Sequence, residues 1–490
     1  MSSGFILTII VAYFLLLLVV AHITGKKASN TSFFSGDKNA KWYIVAFGMI
    51  GTSLSGVTFI SVPGAVGSGN FEYMQVVFGY LVGYFIIALV LMPLYYRLQL
   101  TSIYQYLADR FGNYSYKTGA IFFLISRILG ASFRLYLVAS VLQTFVLGDW
   151  GISFEFTVFL SILFIWIYTH KGGIKTIIWT DTLQTLFMLL AVGFTIVLIC
   201  RELDWSFATM ISEVSSSSYA HMINTNSILE KGHFIKQFIG GIFIAICMTG
   251  LDQDMMQKNL SCKNIKEAKW NMISFSTVLV VVNLVFLCLG ALLFLYAQAK
   301  GLNIPEKTDQ LYPLIALQSG LGKGVGVLFI LGLIAAAYSS ADSALTALTT
   351  SFCYDILGAH KKGEKHLANR KKWVHIGMSV MLFIVMVVFN RLTNKNVISE
   401  LLTVASYSYG PLLGLYAVGM FTKWKPKDAL VPLVCIAAPI ASYFISTFIA
   451  HTFGYVFSYE LLVLNGLITS VGLYVVSTRY LGSTEKAINN

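Results

Sequence analysis

The chain has 490 residues, 57% of them hydrophobic and only 11% charged. A water-soluble domain carries about twice that charged fraction and cannot hide so much apolar surface, so a soluble fold is excluded. In lipid the backbone must satisfy itself within helices or a closed barrel, and the long unbroken apolar runs here suit helices. Barrel strands would alternate in short segments.

The first run, 4–24, has no small-residue cleavage site and follows almost no positive charge. It reads as a retained helix, not a signal peptide. A window of about 19–20 residues gives about thirteen spans in all. In chain order they cover 4–24, 42–67, 71–96, 118–147, 154–170, 174–200, 234–251, 270–298, 325–355, 373–391, 397–421, 429–450 and 460–481. The longer connections, 202–233 and 299–324, have room for short surface helices, and Ser215 to Ser218 is a polar tract of no evident chemistry.

A net charge of +12 invites a nucleic-acid reading, but the charges follow the membrane. Lysines and arginines crowd alternate loops: Lys26, Lys27, Lys38 and Lys41; Arg97, Arg110 and Lys117; Lys171 and Lys175; Lys258, Lys263, Lys266 and Lys269; Lys361 to Lys372; and Lys423, Lys425 and Lys427. The basic side is read as cytoplasmic, with the N-terminus outside and the C-terminus inside a plasma or inner membrane. The expected partners are the bilayer, a small solute and sodium, with no nucleic acid, and the chain is expected to act as a monomer. Cys200, Cys247, Cys262, Cys288, Cys353 and Cys435 form no C-x-x-C pair and fall mostly in or beside apolar runs, as small core residues do. No metal constellation is visible among the eight histidines.

Three places break the apolar rule inside spans. Gly51-Thr52-Ser53-Leu54-Ser55-Gly56 lies in the middle of the second span. Two glycines and three hydroxyls lower helix propensity together, and an unwound helix exposes carbonyls that suit a cation. Close packing through small residues is the competing reading. The stretch Ala335 to Thr346 holds Ser339, Asp342 and Ser343 on one helix face, with Ser340 beside it. A carboxylate among hydroxyls is hard oxygen chemistry, fit for sodium, although a packed serine-rich helix would look similar. Asp181, near the start of the sixth span, is either a member of such a site or a helix N-cap. In the fourth span Arg127 and Arg134 are seven apart and share a face. Arg134 is placed either to bind a substrate carboxylate or to pair with an acid such as Asp252 or Glu400.

These stretches together resemble the sodium/solute symporter family, which includes proline, galactose, sialic acid, glucose and monocarboxylate carriers. The similarity runs from about residue 30 to 430 and rests on five stretches: Ser53 to Phe59; Leu100 to Leu107 with Arg110-Phe111; Gly172-Gly173-Ile174 through Trp179-Thr180-Asp181 to Gln184; Asp252-Gln253 with Gln257; and Ser339 to Ser343. The resemblance implies an all-helical membrane fold with a LeuT-like core of two inverted five-helix repeats. The expected divisions are an extra helix in 1–30, repeats in 31–200 and 234–428, an extracellular loop in 201–233, and C-terminal helices with a short cytoplasmic tail in 429–490. It further implies that the first helix of each repeat is broken.

The same resemblance implies a first sodium site made by the carbonyls of Gly51, Leu54 and Ala336 and the hydroxyls of Ser339 and Ser340. A second site would use Asp181, Ser339, Asp342 and Ser343; one of these positions is serine in the sialic acid transporters, so Asp342 makes this site more acidic. Ser53, Ser55 and Thr58 match hydroxyl positions that contact substrate there. Arg134 stands one turn beyond the arginine of those transporters, which would fall near Gly130; Arg134 and Asp252 complete the substrate candidates. Val77 and Leu402 stand where sugar carriers place a glutamate and a glutamine, against a galactose-type pocket. The expected activity is sodium-driven import of a small polar solute by alternating access, with no enzyme chemistry, since no nucleophile–base pair or metal motif appears. The alternative is a membrane sensor on the same scaffold; such proteins usually append a signalling domain, whereas this sequence ends soon after its last span.

Overall fold

The computed structural model describes residues 3–26, 29–392 and 397–477. The expected C-terminal tail falls almost wholly outside these residues, as does the side chain of Glu400. Among the described residues there is no strand, only isolated bridges at Ala40–Cys262 and Pro426–Ser477. The longer helices are α1 (Ser3–Gly25), α2 (Trp42–Ser53), α3 (Gly56–Gly69), α4 (Tyr73–Ile86), α5 (Asn113–Leu142), α6 (Phe154–Gly172), α7 (Ile174–Glu202), α8 (Phe234–Ala245), α9 (Gln253–Asn259), α10 (Ile265–Ala299), α11 (Lys323–Ser351), α12 (Glu364–Leu392), α13 (Val397–Ser408), α14 (Gly410–Phe421), α15 (Val431–Phe453) and α16 (Leu461–Val475).

By length and composition, eight helices among the described residues are able to cross a membrane, or ten if each of two bent pairs is one span. The expected spans at 154–170, 397–421 and 460–481 correspond to shorter apolar helices, α6, α13 with α14, and α16. The bent pairs are α2 with α3, at 56°, and the helix through Gly250 with α9, at 69°. Both breaks are local in origin. At the first, Leu54 and Ser55 leave helical geometry between Ser53 and Gly56. At the second, Asp252 is extended and caps α9, its Oδ1 accepting from the Asp254 amide at 2.9 Å.

Helix α11 is the axis of the core. Every residue from Leu333 to Ser351 is buried, and α7, α5, α2 and α3 pack around it. Helices α4 and α8 approach closely where glycines face backbone: a Cβ on Gly79 would stand 2.2 Å from the Phe238 carbonyl oxygen, and one on Gly241 2.3 Å from that of Val76. Small residues thus set helix spacing in a medium where apolar burial gives no drive between helices. The Ser215–Ser218 tract ends a short surface helix, Phe207–Ser216, as the loop length allowed.

Candidate functional site

The first break brings unpaired backbone to the centre of the molecule. The last carbonyls of α2 and the first amides of α3 have no helical partners, as at any helix end. Ser340 on α11 donates to one of those carbonyls, Thr52 O, at 3.4 Å. Gly51 is needed here for a close approach: a Cβ would lie 2.2 Å from Thr185 Oγ1 on α7. Gly51, Leu54, Ala336, Ser339 and Ser340 are all buried, and α2, α3 and α7 each pack on α11.

Beside these residues lies a charged cluster. Asp181 is buried in α7, two turns past the helix start at Ile174, so the N-cap reading does not hold. Ser339 Oγ donates to Asp181 Oδ1 at 2.6 Å, and Thr52 Oγ1 donates to Oδ2 at 3.0 Å. Lys258 on α9 reaches the same Oδ2 at 2.6 Å and also donates to Thr52 Oγ1. This lysine is 1% exposed. Sequence reading counted it among the loop charges because the apolar window ended at the break; the helix instead resumes as α9 and carries Lys258 inward. The signal that could have found it was the Asp252-Gln253 start of a second half-helix.

Asp342 does not share this cluster by direct contact. Its Oδ2 accepts from Tyr168 on α6 at 2.7 Å, while Oδ1 and the neighbouring Ser343 and Thr346 hydroxyls are buried without hydrogen-bond partners. Asp181 thus meets Ser339, not Ser343.

A cavity opens next to the break. Ser53, Ser55, Thr58 and Arg134 line it, as does Leu402, while Val77 does not. Arg127 borders it as well, as expected from its shared face with Arg134. The two arginines differ in partners. Arg127 pairs with Asp254, and stands 3.8 Å from Asp252. Asp252 also accepts from Tyr409 at 2.5 Å and is fully buried. Asp252 is therefore turned to Arg127, not to Arg134, and does not line the cavity. Arg134 is half-buried, its Nε has no hydrogen-bond partner, and no carboxylate lies within ion-pair distance among the described residues. Tyr73, Tyr80 and Tyr84 add to the polar wall with Thr52 and Thr249; the tyrosines are not evident from the sequence, as tyrosines in an apolar run carry no distinguishing pattern.

The sodium:solute symporter profile matches residues 33–435. The chain belongs to the sodium:solute symporter family. The sodium/sialic acid symporter of Aliivibrio fischeri is 26% identical over 437 residues, covering 85% of this chain and 82% of that protein. The sodium/sialic acid symporter of Proteus mirabilis is 24% identical, covering 87% of each. Human sodium-coupled monocarboxylate transporter 1 is 27% identical over 84% of this chain and 67% of its own. A solved Na+-coupled sialic acid symporter in a substrate-bound outward-open state superposes with a TM-score of 0.82 at 22% identity, covering 96% of this chain and 97% of that one. The fold is thus LeuT-like, and this sodium:solute symporter is a multi-pass, sodium-coupled secondary carrier. Its neutral oxygens at the first break and its buried acids are chemistry suited to a hard monovalent cation.

Proposed function

We propose that this symporter imports a small organic carboxylate, bound in the cavity beside the first break. The observation that carries the reading is Arg134, a guanidinium open to the cavity with an unpartnered Nε. A planar fork of donors matches a carboxylate bidentately, and a half-buried arginine with no acid in ion-pair reach among the described residues is set to take an external one. The hydroxyls of Ser53, Ser55 and Thr58 add neutral donors and acceptors for the rest of the solute. Relatives named for sialic acid and monocarboxylates support an anionic cargo.

The first sodium is held, in this reading, by the carbonyls of Gly51, Leu54 and Ala336 and the hydroxyls of Ser339 and Ser340. The two inverted repeats occupy 31–200 and 234–428, which puts the two bent pairs at their starts. The N-terminus lies outside and the C-terminus inside a plasma or inner membrane, as the basic loops favour. The chain works as a monomer and catalyses no covalent chemistry. The membrane potential contributes about 2.3 kcal/mol per charge per 100 mV to inward sodium movement, before any concentration gradient.

The test is uptake into proteoliposomes of labelled sugar acids, short monocarboxylates, neutral sugars and amino acids, with and without an inward sodium gradient. Carboxylates should be taken up only with sodium. Arg134→Lys should raise the solute half-saturation about tenfold or more, as the loss of one good charged contact predicts, with sodium half-saturation little changed. Uptake restricted to neutral solutes, or full activity in Arg134→Ala, would sink the proposal.

A further inference from the structure

Lys258 does not line the solute cavity, and its position is unusual. It is a lysine buried to 1% exposure, carried on the second half of a broken helix. Its ammonium touches a carboxylate oxygen, Asp181 Oδ2, at 2.6 Å, and the hydroxyl of Thr52. Asp181 also accepts from Ser339, whose hydroxyl lies 3.3 Å from that of Thr52. A carboxylate and a hydroxyl on a point positive charge, with a second hydroxyl beside them, are the surroundings a sodium ion would choose.

We propose that the Lys258 ammonium is the protein's own second cation. It fills the place at Asp181, Thr52 and Ser339, so that one sodium, not two, binds and moves with each solute. The inference rests on the first-site reading, since it assigns the single sodium to the carbonyls and hydroxyls at the break.

The ammonium excludes a second ion by its charge. A sodium held by Asp181 and Ser339 would lie within a few ångströms of the ammonium, where two like charges in a buried site repel strongly. Both oxygens of the acid already accept: Oδ1 from Ser339, and Oδ2 from Thr52 and Lys258. A lysine suits the task, being a compact charge on a flexible stem with three donors, where an arginine would present a wide fork. The other acid of the expected second site, Asp342, is held by Tyr168 and has no cation within ion-pair distance among the described residues. It does not rebuild the site elsewhere, because Asp181 and Ser339 are already engaged. The arrangement also ties α9 to α7 and α2, so the tethered charge travels with the half-helix that bears it.

The experiment counts sodium ions on the purified full chain in detergent by equilibrium binding of radioactive sodium, without solute, so that it does not depend on knowing the cargo. Wild type should bind one sodium. Lys258→Met, which keeps the stem and removes the charge, should gain a second site, with a Hill coefficient rising from about one toward two. Lys258→Arg keeps the charge and should still bind one. Lys258→Met/Asp181→Asn removes both charges and so avoids a lone buried acid; it should bind one sodium with affinity within about threefold of wild type. Two sodium ions on the wild-type chain would overturn the proposal, as would loss of the single site in the double variant, which would make Asp181 a ligand of that ion. Ser339→Ala/Ser340→Ala tests the first-site reading separately: a retained single site there refutes that reading without altering the count that decides Lys258.

Discussion

The two helix breaks look alike in outline and differ in what they do with their freed backbone. At the second, the carbonyls are stitched: Tyr95 donates to Gly250 O at 2.8 Å and Tyr104 to Leu251 O at 2.9 Å. Asp252 caps the resumed helix, and Arg127 neutralises Asp252 and Asp254 beneath it. At the first break the only side-chain bond to a freed carbonyl among the described residues is the long one from Ser340 to Thr52 O. Oxygens left open next to a buried acid and two serines are available to a cation; oxygens already bonded to tyrosines are not. Unwinding a helix therefore makes a binding site only where the neighbours withhold their donors.

The largest expected effect comes from unpicking the closed break. Arg127→Ala leaves Asp252 and Asp254 buried without their cation, a loss on the order of 3–5 kcal/mol. Thermal unfolding in detergent should show it as a much lower transition or as a failure to accumulate folded protein. An unchanged transition would mean that this break is not held by charge.

A middle-sized effect is expected at the open break. Gly51→Ala drives a methyl against Thr185 Oγ1, and overpacking of this kind costs about 1–3 kcal/mol. Adding Thr185→Ala should restore part of the stability by removing that oxygen. If Gly51→Ala is silent in both thermal unfolding and sodium activation of uptake, the close approach of α2 and α7 is not a constraint on the site.

The smallest effect sharpens the contrast. Tyr104→Phe removes one donor and leaves Leu251 O without it, for about 1 kcal/mol. Sodium activation should not change. A shift in sodium half-saturation on this substitution would show that the second break also takes part in cation binding, and would erase the distinction between the two.

Much of this was legible in the sequence because it is local. Apolar run length places helices, and Gly51 to Gly56 contains its own reason to unwind, so the first break was expected where it is found. The serine-rich face of α11 follows from helical spacing alone, and Ser53, Ser55, Thr58 and Arg134 do face one cavity. Choice of partner was not legible. Arg127 and Arg134 are the same residue on the same face, yet among the described residues one meets two acids and the other none, because only Arg127 is level with α9. Lys258 read as one more loop lysine in a basic segment. The structure carries it into the core because the helix resumes past the break and brings it to an acid 77 residues earlier in the chain. Spacing and composition determine what a helix presents, being properties of a few turns. Which charge is neutralised from within, and which is left for a ligand, depends on distances between helices remote in sequence, and only the packed molecule decides those.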